Sequence, residues 1–128
     1  MPQRVDRLCR EAKPRVVVSS DFPPLDVIPG GSARGPDHKR SDPDDVQSMV
    51  RFLVSTEAFR VEGLIAAAGT LANVANKQHM LDIIDRYEHV VDTLQAHDPT
   101  YPSAEDLRNV TREGVNWHVW GTGERNTW

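Results

Sequence analysis

Arg15-Val16-Val17-Val18-Ser19-Ser20-Asp21 sets a compact β-branched run directly before an acid, and this reads as a strand buried on both faces of a parallel sheet, with Asp21 at its C-terminal end. Working outward, the stretch from Phe22 to Arg40 carries Pro23, Pro24, Pro29, Gly30, Gly31, Gly35 and Pro36, a composition that sustains neither a helix nor a central strand. A long loop over 22–40 is predicted, of a length typical of functional lids or disordered segments. Order resumes at Ser41-Asp42-Pro43-Asp44-Asp45, where acids and an early proline announce a helix N-terminus. Val46, Met49, Val50, Leu53 and Val54 then share one helical face, and the helix is predicted to reach about Ala58. Phe59 to Ala68 predicts a second buried strand ending at Gly69-Thr70. Strand, helix and strand make a right-handed βαβ unit, so the fold class is α/β, a parallel sheet flanked by helices.

Met80, Leu81, Ile84, Tyr87, Val91 and Leu94 recur at three- and four-residue spacing, which predicts a long amphipathic helix from about Ala72 to Gln95 packed back on the sheet. Pro99 and Pro102 interrupt the chain. Ser103 with Asp106 gives a capping-box signature for a short helix carrying Leu107 and Val110, Gly114 is placed to end it, and Val115 to Trp120 reads as a third strand. Met1 to Lys13, polar with Val5, Leu8 and Ala12 at loosely helical spacing, reads as a short helix or a frayed leader ahead of one domain over 14–128.

Composition bounds the function. The 128 residues, 38% hydrophobic and 27% charged, suit one compact domain. Fifteen Lys and Arg against 19 Asp and Glu give a net charge of −4, without the basic footprint that nucleic-acid or anionic-membrane binding requires. The longest apolar run, Leu64 to Ala68, falls far short of the roughly 20 residues of a membrane-spanning helix. Met1 to Arg15 has no apolar centre and so no signal peptide, which makes the cytoplasm the default compartment. Cys9, alone, offers neither an intramolecular disulfide nor a cysteine zinc site.

The densest chemistry is acidic. Asp21 closes the first strand and Asp42, Asp44 and Asp45 open the next helix; in an α/β sheet those places share the ligand-binding edge. Carboxylates brought together repel unless a cation neutralises them, and Ca²⁺, with six to eight oxygen ligands, is the expected one. The same acids also suit a bare helix N-terminus, with Ser41 and Asp42 as caps and Asp44 and Asp45 complementing the dipole. Trp117, Trp120 and Trp128 read either as a sugar-stacking platform or as core and interface residues. Arg34, Lys39 and Arg40 read as a phosphate or carboxylate contact or as solvated loop, while His38, His79, His89 and His97 form no metal spacing and are assigned no function.

Val17 to Asp21, followed by Asp42-Pro43-Asp44-Asp45-Val46-Gln47-Ser48-Met49-Val50-Arg51-Phe52-Leu53 and Val61-Glu62-Gly63-Leu64-Ile65-Ala66, resembles the nucleoside-hydrolase superfamily. With Tyr101-Pro102-Ser103-Ala104 and Leu107 it is most similar to the nucleoside-hydrolase-like domain of proteins labelled cellulose-binding, over Lys13 to about Gly123. The resemblance implies an N-glycosidic (ribosyl) hydrolase using calcium-bound water. Asp21 would match the general base and calcium ligand, Asp44 the acid that holds sugar hydroxyls, Asp45 a calcium ligand, and Asn73 an asparagine touching the ribose. Ser19 stands where the family's compact motif has its first acid, and 22–40 splits what is normally contiguous. The resemblance covers only the N-terminal part of the family's domain and so implies a truncated domain, a fragment, or one completed by a partner chain such as a second copy. It implies a nucleoside or other small glycoside as ligand, with a non-catalytic module for polysaccharide on the same scaffold as the alternative, and export is known in that branch.

Overall fold

A computed structural model describes residues 13–29, 40–41, 43–68 and 75–114. The predicted leader, the loop over 30–39, Asp42, Asn73, the strand expected at Val115 to Trp120 and the three tryptophans lie outside the described residues, apart from Lys13. In chain order the elements are β1 (Arg15–Ser20), β2 (Ile28–Pro29), β3 (Arg40–Ser41), α1 (Asp44–Leu53), a 3₁₀ turn (Thr56–Ala58), β4 (Arg60–Ala66), α2 (Lys77–Glu88), α3 (Val91–His97), α4 (Ala104–Asn109) and β5 (Thr111–Glu113).

β1, β4 and β5 form a parallel sheet in that spatial order, and β2 pairs with β3 as a separate two-residue ladder. The register sets Val17 opposite Gly63 and Ser20 opposite Ala66, with a shift between Val16 and Val17. The expected α/β class, a parallel sheet with helices packed on it, is therefore what the chain forms. Because the strand order follows the chain order, successive right-handed crossovers step in one direction and lay their helices over one face. The core lies on that face: Met49 and Leu53 of α1 and Met80 and Ile84 of α2 pack with Leu64 and Ala66 of β4.

This order corrects the expectation that β1 is buried on both faces. Its residues alternate between exposed and half-buried, and Val17 is 58% exposed. Burying both faces takes helices on both sides, and a sheet that grows in one direction places them on one. Across the ladder on the open face, a Cβ at Gly63 would stand 3.1 Å from a Val17 methyl, so Gly63 leaves room for that side chain.

Three other boundaries differ from expectation. The helix predicted to about Ala58 ends at Leu53, where buried Thr56 turns back and donates its hydroxyl to the Leu53 carbonyl at 2.7 Å. The long helix predicted over 72–95 is two helices, α2 and α3, separated at His89–Val90. The short helix expected to run to Gly114 ends at Asn109, and Thr111–Glu113 forms a strand: the Leu64 amide donates to the Val110 carbonyl and the Gly114 amide donates to Ala66 O at 2.8 Å. Gly114 thus closes the ladder rather than a helix, and a Cβ there would meet Ala66 O at 3.1 Å. The predicted cap of α4 is present, with the Ser103 hydroxyl accepting from the Asp106 amide at 3.0 Å. No helix of the described residues is long and apolar enough to cross a membrane.

One-sided burial has a measurable consequence. In urea unfolding, Leu64→Ala is expected to cost about 2–5 kcal/mol, the usual range for truncating a fully buried side chain, whereas Val17→Thr on the open face should stay within about 0.5 kcal/mol.

Candidate functional site

A cavity of about 390 Å³ opens at the C-terminal end of β1 between that strand and α1. Its size falls in the usual range for small-molecule sites. Three segments build it. Val18, Ser19, Ser20 and Asp21 come from the end of β1; Asp45, Ser48, Met49 and Phe52 come from one face of α1; Ala67 and Ala68 follow β4. The α1 residues are spaced i, i+3, i+4 and i+7, which puts them in one row along the helix. Pairing of Ser20 with Ala66 brings the ends of β1 and β4 to the same level.

A hydrogen bond joins the strand and the helix at the site. The Ser20 hydroxyl donates to Asp45 Oδ2 at 2.6 Å, a short distance typical of a charged acceptor. The bond fixes the Asp45 carboxylate at the wall of the cavity. Asp21 is held from behind because the next residue, Phe22, is buried in the core at 2% exposure. Phe52 is steadied by Phe59, their ring centroids 6.0 Å apart and tilted by 32°.

Of the residues expected to form the site, the structure brings Asp21 and Asp45 into one cavity. Asp44 lies one residue away in the first turn of α1, exposed and not lining the cavity. Asp42 and Asn73 fall outside the described residues. The helix N-cap is Pro43, which makes no side-chain capping bond, and Asp44 and Asp45 meet the α1 dipole in its first turn. Residues that the sequence did not mark are the two hydroxyls Ser20 and Ser48 and the apolar wall of Met49 and Phe52. The helical spacing of 45, 48, 49 and 52 was the available signal, but it also fits a plain core-facing stripe.

The lining chemistry is one-sided. Carboxylates and hydroxyls form the polar part, Val18, Met49, Phe52, Ala67 and Ala68 the apolar part, and no Lys, Arg or His is among the described lining residues. A phosphate or carboxylate ligand would face like charge here. The nearby N-terminus of α2 does not compensate, because the Lys77 amide donates to Glu113 Oε2 at 2.8 Å and the Gln78 amide donates to Asn76 Oδ1 at 2.9 Å. Calcium calls for six to eight oxygen ligands. The cavity has the right donor type, but among the described residues no group of three or more His, Cys, Asp or Glu side chains could hold a metal ion. Asp21 and Asp45 with their serines therefore do not by themselves fit a calcium site.

A family model described as cellulose-binding Sde182, nucleoside hydrolase-like domain, matches residues 36–126. The match takes in α1, with Asp44 and Asp45, while β1 and Asp21 precede it. No curated protein and no solved structure matches the chain.

The Ser20–Asp45 bond is open to a double-mutant cycle. Ser20→Ala, Asp45→Ala and the double variant are expected to yield a coupling of about 1–3 kcal/mol in urea unfolding, as for a hydrogen bond to a charged group. A coupling near zero would mean that strand and helix are not joined there.

Proposed function

The chain belongs to the nucleoside hydrolase-like domain family, and we propose that its β1–α1 cavity binds the hydroxyl groups of a neutral saccharide, with a β-linked glucan as the natural ligand. The observation that carries this reading is the acceptor-rich lining, in which a serine hydroxyl already donates to Asp45 as a sugar hydroxyl would. Sugars present hydroxyl donors at their edges and C–H groups on their faces. Asp45 Oδ1 and Asp21 accept from the edges, Ser48 donates or accepts, and Phe52 and Met49 lie against the apolar face. The cellulose-binding description of the matched family supports a polysaccharide over a free nucleoside. Neutral ligands are favoured over nucleotides, since a phosphate near two carboxylates loses Coulomb energy that no described basic lining residue returns.

A second reading is hydrolysis of an N-glycosidic bond, favoured by the nucleoside hydrolase-like description and by two carboxylates in one cavity. In it Asp21 is the general base and Asp21 with Asp45 are calcium ligands, further oxygen ligands coming from beyond the described residues. Asp44 and Asn73 would hold the sugar. The two readings separate on calcium. Saccharide binding that persists in excess chelator supports the binding module, whereas binding or nucleoside cleavage that appears only with calcium supports the hydrolase.

The test of the first reading is calorimetric titration with cellohexaose. Asp45→Ala is expected to weaken binding about tenfold or more, the worth of one hydrogen bond to a charged group. Asp44→Ala, at an exposed position off the cavity, should change it by less than about twofold. Equal losses at both positions would contradict the assignment of Asp45.

A further inference from the structure

We propose that His79, on the first turn of α2, is a positioning residue that holds the Asp21 end of β1 in the saccharide cavity through the Phe22 carbonyl; the proposal rests on the cavity reading above. His79 Nδ1 stands 3.3 Å from the Phe22 carbonyl oxygen, and Nε2 stands 3.3 Å from Asn76 Nδ2. The proton on the ring is assigned by its neighbours. Asn76 is the N-cap of α2, and its Oδ1 accepts from the Gln78 amide at 2.9 Å, which fixes the other end of the side-chain amide as NH₂. That NH₂ can only donate, so His79 Nε2 is the acceptor and Nδ1 carries the hydrogen. The Nδ1–H then donates to the Phe22 carbonyl. The cap of α2 is thereby relayed through one imidazole ring to the residue following Asp21.

The relay has a clear purpose in this fold. After β1 the chain leaves the sheet ladder, so the ladder itself fixes nothing beyond the carbonyl of Ser20, which accepts from the Ala67 amide at 2.8 Å. The buried Phe22 ring fixes position, and Pro23 after it narrows the rotation of the peptide between them. The hydrogen bond to the Phe22 carbonyl ties that peptide to α2. Sequence gave no sign of it, since the two residues lie 57 positions apart.

The test joins a tautomer measurement with two variants. Long-range ¹H–¹⁵N spectra of the wild-type chain at neutral pH should report the Nδ1–H tautomer of His79; the Nε2–H tautomer would overturn the proposal, whatever the chain binds. His79→Asn sets an amide NH₂ near the place of Nδ1 and should keep cellohexaose affinity within about twofold, while His79→Leu should lose about fivefold, both still melting cooperatively. Unchanged affinity in the leucine variant, or equal losses in both, would also overturn it. A wild-type chain with the Nδ1–H tautomer that fails to bind cellohexaose contradicts the cavity reading, and it leaves the His79–Phe22 relay supported.

Discussion

Parallel pairing of β1 with β4 is the constraint on which the rest of the structure depends. Parallel neighbours cannot be joined by a tight turn and need a crossover, which here contains α1 and returns the chain over the sheet. The first turn of α1 is thus delivered to the C-terminal edge, where β1 ends in Ser20 and Asp21. A hydrogen bond from Ser20 to Asp45 then ties the crossover to the strand it left. The second parallel step, to β5, moves the same way and adds α2 to the same face, with Glu113 and Asn76 closing the helix start. Among the described residues the sheet is consequently covered on one side, and Val17 marks the other.

From that geometry follows the chemistry of the edge. Helix N-termini at such edges commonly receive anions, yet both helix starts here are already matched with acids or amide acceptors. What is left facing the cavity is a set of oxygen acceptors and hydroxyls beside an apolar wall. Such a surface suits the ligand proposed for it, a neutral, hydroxyl-rich sugar ring with an apolar face.

Much of the fold was legible because local signals agreed with the global arrangement. The β-branched run at Val16 to Val18, the acidic helix start and the buried run to Ala66 each fit one element, and the Ser103 cap is formed as its spacing implied. The failures have physical causes. One-sided burial of β1 depends on strand order, which no local pattern carries. The apolar period runs unbroken through Tyr87, Val91 and Leu94, so the division of α2 from α3 at His89–Val90 left no trace in it. Thr111–Glu113 is a strand because the edge of β4 was available to pair with it, not because its residues favour one. At the site, Asp21 and Asp45 were legible as acids at strand and helix ends, whereas Ser20 and Phe52 became meaningful only once β1 and α1 were set side by side.

The most direct measurement is an amide chemical-shift map of the ¹⁵N-labelled chain titrated with cellohexaose in the presence of chelator. Saccharide binding in the β1–α1 cavity predicts saturable shifts concentrated at Ser20, Asp21, Asp45, Ser48 and the Ala67–Ala68 segment. Shifts confined to the open sheet face around Val17, Gly63 and Arg112, or no saturable shifts in the folded chain, would contradict it.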